Sequence, residues 1–308
     1  MHFGRVAQHE IDSIDFRLPP DPALTLQTLQ AAKNTGTPSV YVGCPVWGSK
    51  HWIGKMYPQK TKEADYLEHY AQHFNTIELN ATHYKIYDAP AIAKWKAKIK
   101  ERQFFFCPKV PQAISHHSNL ISRQASDLTD EFLHSISHFQ PHLGPVFMQL
   151  SEFFSPAASS SLYSYLQSWP RDLPLFTEVR HPDWFRNHSV RQAFFQLLHS
   201  LGMGAVITDT SGRRDAVHME LPIAKAFVRF VSNPDHASNY HRLNDWIARI
   251  GHWLNSGLQE LYFFLHYPDD SLLPELTDYF VEGLNKHCHT HLARPLFISG
   301  PAVQQSLF

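Results

Sequence analysis

Eight short runs of β-branched and aromatic residues recur along the chain, separated by stretches in which apolar residues keep helical spacing. They are SVYVG (39–43), TIELN (76–80), QFFFCPK (103–109), PVFMQL (145–150), PLFTEVR (174–180), AVITD (205–209), KAFVRFV (225–231) and LYFFLH (261–266). Parallel strands need crossovers of a dozen residues or more, and the gaps supply them. The alternation predicts an α/β fold, a (β/α)8 TIM-type barrel, for which about 250 residues is typical. It would fill residues 39–308 as one domain. Residues 1–38, in which DPALTLQTLQAAK reads as a helix, form an N-terminal extension lying across it. The rival is an open doubly wound sheet. The first run, however, is followed by CPVWGSKHW, and neither a G-x-G-x-x-G nor a P-loop occurs.

Between the strands, Tyr66, Leu67, Tyr70, Ala71 and Phe74 make one helical stripe, and Ala91, Ile92, Trp95 and Ile99 begin another. Thr129 is placed to cap a third, carrying Phe132, Ile136 and Phe139. Ser189 is placed to cap a helix that Gly202 would stop. Further stripes run through Trp246, Ile250, Trp253 and Leu254, and through Leu276, Tyr279, Phe280 and Leu284. The segment 156–168 is Ser-rich, and 210–224 shows little helical spacing.

At 43% hydrophobic the chain can bury a large core. A net charge of -1 creates no field to gather a polyanion or a membrane surface. Three cysteines without a close pair point to a reducing compartment, and the start MHFGRVAQHEIDSIDF has no apolar secretory core. A cytoplasmic protein without a membrane partner is expected.

Chemistry collects at one end of the predicted strands. Glu78 and Asn80, Lys109, Gln149, Glu178 and Arg180, Asp209, Arg229 and His266 all come late in their runs, whereas earlier positions are almost wholly apolar. In a barrel of this kind the C-terminal strand ends carry the active site. Residues two apart share a face of a strand, roughly 6.6 Å apart. Phe176, Glu178 and Arg180 should therefore face the axis, as should Thr76, Glu78 and Asn80, which brings two glutamates into one mouth. Stranding such charges unpaired costs several kcal/mol per ion, so they are paired or used.

The motifs YVGCPVW, HWIGKMYP, FNTIELNATHY, CPKVPQAISHH, LGPVFMQL and TEVRHPDW follow in order from about Gly43 to Asp215. Together they resemble the family called domain of unknown function 72, or YecE-like. The resemblance implies a TIM-type barrel grouped near the endonuclease IV-like barrels, in a family without an established activity. Among family-like positions are Trp47, Trp52, Glu78, Asn80, Tyr84, Lys109, His116, Gln149, Glu178, Arg180, His181, Trp184 and Asp209. The chain departs from the family where Thr-Phe-Tyr becomes Thr82, His83 and Tyr84. It departs again where Arg-x-His-Gly becomes Arg229, Phe230, Val231 and Ser232, and where strand eight ends in Leu265 and His266 rather than an Asn pair.

Two functions follow from the residues. The first is a hydrolase-like enzyme with Glu178 as base or metal-bound carboxylate, Glu78 as its acid partner and Asp209 beside them. Lys109 and Arg180 would clamp a small phosphate or carboxylate ligand, aided by Trp47, Asn80, Tyr84, His116, Gln149, His181 and Arg229. Its metal candidates are His83, His116, Glu178, His181, Asp209 and His266, a ligand set suited to Zn or Mn. The second is a non-catalytic protein that binds a nucleotide or short nucleic acid, with Trp47, Trp52, Tyr84 and Trp184 as stacking platforms. Against both stands a structural reading. There Glu178–Arg180 is an ion pair plugging the barrel, and Trp52 and Trp184 close a lid over the core.

Overall fold

A computed structural model of the chain describes residues 3–33 and 36–298. Eight strands, β1 (Ser39–Cys44), β2 (Thr76–Leu79), β3 (Phe105–Pro108), β4 (Val146–Gln149), β5 (Leu175–Glu178), β6 (Gly204–Asp209), β7 (Lys225–Val231) and β8 (Glu260–His266), match the eight runs. All neighbours are parallel, in the order β3-β2-β1-β8-β7-β6-β5-β4. The ring closes between β3 and β4 through bridges Phe106↔Leu143 and Lys109↔Phe147, where the Val110 N–H donates to the Phe147 carbonyl at 2.9 Å. The strands thus make a nearly closed (β/α)8-type barrel.

Two apolar layers hold it together. Inside, Tyr41, Cys107, Phe147, Phe176, Val206, Phe227, Tyr262 and Phe264 form a buried floor, with Phe227 at 4.9–5.4 Å from the rings of Phe147, Phe176 and Phe264. Outside, the opposite strand faces pack on the helices, as Ile77, Leu79, Leu175 and Val179 do. The period of two therefore sorts each strand between floor and helix layer as expected. Gly43 lets β1 and β2 approach: a Cβ there would lie 2.2 Å from the Thr76 carbonyl oxygen. The Tyr70 hydroxyl stitches the same junction, donating to that carbonyl at 2.9 Å and accepting from the Cys44 N–H at 2.7 Å.

Two helix starts differ from expectation. The helix Arg123–Ser137 begins before Thr129, capped by Ser122, whose Oγ accepts from the Ala125 N–H at 3.1 Å. Its polar first turn hides it from an apolar stripe, and Thr129 instead donates back to the Ala125 carbonyl. In helix His188–Leu201 the cap is Asn187 rather than Ser189, its Oδ1 accepting from the Ser189 and Val190 N–H groups. Gly202 ends that helix with φ 67°, as its position suggested. Segment 156–168 does form a helix, Ser159–Ser168.

Between β6 and β7 the described residues form only the 3-10 turn Arg214–Ala216. The N-terminal helix Ala23–Ala32 stands in that gap. Thr25, fully buried, donates from Oγ1 to the Met219 carbonyl (2.9 Å) and accepts from the Leu221 N–H (2.8 Å). Asp21, just before it, accepts from Arg249 and Trp253 of the helix Ser238–Ser256. Further back, residues 3–16 reach the barrel mouth, where the Gly212 N–H donates to the Gly4 carbonyl at 2.7 Å. Residues 299–308, within the span expected for the barrel domain, lie outside the described residues.

Candidate functional site

Above the aromatic floor the inward positions turn polar. Glu78 from β2, Gln149 from β4, Glu178 from β5, Thr208 from β6, Arg229 from β7 and His266 from β8 form one buried layer, joined by Lys109 just past β3 and Arg180 just past β5. Arg229 is its centre. Its Nε and Nη2 donate to the two oxygens of Glu78 (2.9 and 2.8 Å), and its Nη1 donates to Glu178 Oε2 (2.8 Å) and, more distantly, to Gln149 Oε1 (3.4 Å). The two glutamates predicted to enter one mouth are thus bridged by a single guanidinium.

The remaining lone pairs are taken as well. Glu78 accepts from Asn80 Nδ2 and meets His266 Nε2, each at 2.9 Å. Glu178 accepts from Arg180 Nε (2.7 Å) and Thr208 Oγ1 (3.0 Å). Burial alone pushes both carboxyls up, but the cations beside them win. Arg229 and His266 hold Glu78 well below the usual carboxylate range, and Arg180 and Arg229 hold Glu178 at about 2. Both glutamates are therefore ionised at neutral pH and poorly disposed to take a proton.

Lys109 has a different environment. It is buried, its Nζ donates to the neutral Gln149 Oε1 at 3.1 Å, and the ion pairs of the layer use Arg180 and Arg229 as their cations, with His266 a hydrogen-bond partner of Glu78. Burial first, then the charge of Arg229, brings it down to about 7. Three cations, Lys109, Arg180 and Arg229, face two carboxylates, leaving one positive charge with Lys109 protonated. A cavity of about 470 Å³ opens over them, lined also by Asn80, His83, Tyr84 and His266; Arg5 and Asp270 on its rim offset one another. A buried positive surplus beneath a cavity attracts an anion.

The other predicted residues divide. His83 lines the cavity with Nδ1 on the Val110 carbonyl (2.9 Å), its ring 5.1 Å from that of His116. Burial and then Lys109 lower both histidines to about 4. Tyr84 is 73% exposed at the rim. Trp47 is turned instead against Trp95, ring centroids 5.5 Å apart, and His181 accepts from the Asp183 N–H at the start of a helical turn. Trp52 and Trp184 are fully buried, their indoles donating to the Asp270 and Phe154 carbonyls.

Asp209 corrects the expected catalytic trio. It is an outward position of β6, so its carboxylate lies behind the sheet and accepts from Trp246 Nε1 (2.8 Å), Arg242 and Arg214. The alternation already implied this, since Val206 and Thr208 face inward. The metal candidates are likewise dispersed: Glu178 is engaged by arginines, His266 by Glu78, and Asp209 and His181 lie elsewhere. Among the described residues no three His, Cys, Asp or Glu side chains converge to hold a metal ion. The donor set in the mouth does not fit Zn or Mn.

The expected extension across the barrel is present, but neither Thr208 nor the reach of Phe3 and Arg5 into the mouth is among the sequence expectations. Thr208 was legible from its parity with Val206. Phe3, buried with the Arg180 and Arg213 guanidinium groups 4.2 and 4.9 Å from its ring, was not, because no local pattern ties it to strand five.

The model of the family "Protein of unknown function DUF72" matches residues 41–296. The chain belongs to the DUF72 family. It is similar to UPF0759 protein YecE of Escherichia coli (strain K12), 30% identical over 265 residues that cover 80% of this chain and 93% of that protein. UPF0759 protein YunF of Bacillus subtilis (strain 168) is 27% identical over 151 residues, covering 47% of this chain and 52% of its own. DUF72 crystal structures share the fold. One from Enterococcus faecalis V583 superposes with a TM-score of 0.59 at 15% identity, covering 84% of this chain and all of that one. One from Thermotoga maritima MSB8 superposes with a TM-score of 0.54 at 20% identity, covering 74% and 92%. The extension 1–38 precedes the DUF72 match, so Arg5 on the cavity rim and Phe3 against Arg180 lie outside the matched residues. No helix among the described residues is long and apolar enough to cross a membrane.

Proposed function

We propose that this protein is an enzyme of small anionic substrates, binding a phosphate or carboxylate group at the C-terminal mouth of its barrel. One observation carries the reading: Lys109 is buried beneath the cavity with a neutral partner, and leaves the layer one positive charge in excess. Desolvated cations of this kind bind anions through charge-assisted hydrogen bonds.

The hydrolytic form of the chemistry needs a base, and His266 suits it better than Glu178. Glu78 engages Nε2, and Nδ1 has no hydrogen-bond partner among the described residues while the ring lines the cavity. A carboxylate that fixes an imidazole's orientation leaves its second nitrogen to move a proton, the logic of a catalytic triad. Burial keeps this imidazole below its ordinary pKa despite Glu78, so its neutral form prevails at neutral pH. The stacking reading, a nucleotide or short nucleic acid binder, is left with Tyr84 alone of its four aromatics well exposed.

Calorimetric titration of the protein with inorganic phosphate tests the reading. Stoichiometric binding that is lost in Lys109→Met is expected. Absence of binding by the wild-type protein, alongside tight binding of short oligonucleotides, would replace it with the nucleic-acid reading.

A further inference from the structure

A buried lysine retained for stability is normally paired with a carboxylate, because an unpaired buried charge is costly. The buried layer of the mouth contains two carboxylates, and neither is in an ion pair with Lys109: Glu78 is taken by Arg229 and His266, Glu178 by Arg180 and Arg229. What remains for Lys109 is a neutral amide oxygen on one side, the Phe147 ring 5.9 Å from its Nζ, and the cavity. This is the environment in which a lysine side chain serves as a nucleophile, desolvated and next to other cations.

We propose that Lys109 condenses with the carbonyl carbon of a small substrate that carries a carboxylate or phosphate group, forming an imine in the barrel mouth. The proposal rests on the reading of the mouth as an anion site, but not on hydrolysis. In the step, the nitrogen lone pair attacks the carbonyl carbon and the C=O π pair moves to oxygen. The resulting carbinolamine loses that oxygen as water, with two hydrogens that began on the ammonium nitrogen, and the C=N bond forms. Ammonium and carbonyl become iminium and water, so charge and atoms balance and no oxidant or reductant is required. His266 lines the same cavity and has Nε2 engaged by Glu78, so in this proposal its Nδ1 carries the proton from nitrogen to the departing oxygen. The anionic group of the substrate is drawn to Arg180 and Arg229, which line the same cavity.

Burial, more than the charges around it, lowers Lys109 so that its ammonium and its amine coexist near neutral pH. Arg229 from β7 and Arg180 after β5 oppose protonation, along with burial; Glu78 from β2 and Glu178 from β5 act in the other sense, and the balance is a value of about 7. His83 and His116, held near 4, add no positive charge at neutral pH.

Reductive trapping tests the proposal on the full chain. The protein is incubated at pH 7 with pyruvate or with glycolaldehyde phosphate in the presence of cyanoborohydride, with acetone as the uncharged comparison, and the modified lysine is mapped by peptide mass spectrometry. Lys109 is expected to be labelled roughly a thousandfold faster than surface lysines, from its larger unprotonated fraction at pH 7. Acetone should label it more slowly than at least one anionic carbonyl, and the faster of those two identifies the anionic group. Labelling spread over surface lysines with Lys109 no faster than the rest overturns the proposal, as does acetone reacting as fast as both anions. Mapping in the wild-type protein decides the matter even if Lys109→Arg folds poorly; where that variant folds, it should trap nothing at this position and leave total labelling at the surface background. Phosphate calorimetry separates the two failures. Phosphate binding without trapping removes only the imine, whereas no phosphate binding removes the anion site beneath it.

Discussion

Replacing Arg229 by methionine should expose how the mouth is held together. The substitution keeps the volume of the side chain's stem but removes the guanidinium that makes three bonds of 2.8–2.9 Å to Glu78 and Glu178. Removing one partner of a buried pair costs about 3–5 kcal/mol. Glu78 would retain His266 and Asn80, and Glu178 would retain Arg180 and Thr208, so the lower end, about 3 kcal/mol at pH 7, is expected. The pH dependence is the sharper sign. In the wild-type protein both carboxyls lie below their ordinary values, so their contribution is complete above the unfolded value near 4.5 and is lost as pH falls through about 2 for Glu178. Between pH 7 and 5 these groups leave wild-type stability flat. Without Arg229, burial drives the same carboxyls upward. The folded variant then binds more protons than the unfolded chain over that window, and its stability rises as pH falls. Urea unfolding followed by circular dichroism at pH 7 and pH 5 measures both effects. A loss below about 1 kcal/mol, of the size of an exposed ion pair, with no change between the two pH values would refute the idea of a single guanidinium bridging two ionised carboxylates.

Two other outcomes follow from the geometry. Sulfate, whose own charge is constant in this range, should bind more weakly as pH rises through about 7, because Lys109 loses its proton there; calorimetry from pH 6 to 8 would show a constant affinity if Lys109 were not part of the site. Asp209→Asn should destabilise the fold, by disturbing Arg242, Arg214 and Trp246 behind the sheet, while sulfate affinity stays within about twofold, a few tenths of a kcal/mol. A large loss of affinity in a folded Asp209→Asn variant would contradict its position outside the mouth.

Much of the fold was legible because strand and helix periods are imposed by geometry that each residue shares with its near neighbours. Strand positions, the inward sets Thr76–Glu78 and Phe176–Glu178, and the meeting of two glutamates all follow from a period of two. What was lost involved distant or competing signals. The strand-end position of Asp209 groups it with the mouth, although its parity with Ile207 turns it toward the helices, where Arg242, Arg214 and Trp246 meet it. Arg229 reads from the sequence as one contact among many, yet it is the hub, since no local pattern reveals that its guanidinium spans two other strands. Thr129 and Ser189 had the chemistry of caps, but Ser122 and Asn187 stand at the true helix starts, where the first turns are polar. The contribution of Phe3 to the wall beside Arg180 depends on a contact across the whole chain.

The central claim is that the cation surplus of the mouth holds an anion, and crystals soaked in selenate put it to the most direct test. An anomalous selenium peak in the cavity bordered by Arg180 and His266, marking a selenate with an oxygen within hydrogen-bonding distance of Lys109 Nζ, is the predicted result. Anomalous peaks confined to other surfaces, with the mouth open to solvent in the lattice and Lys109 still hydrogen-bonded to Gln149 alone, would contradict it.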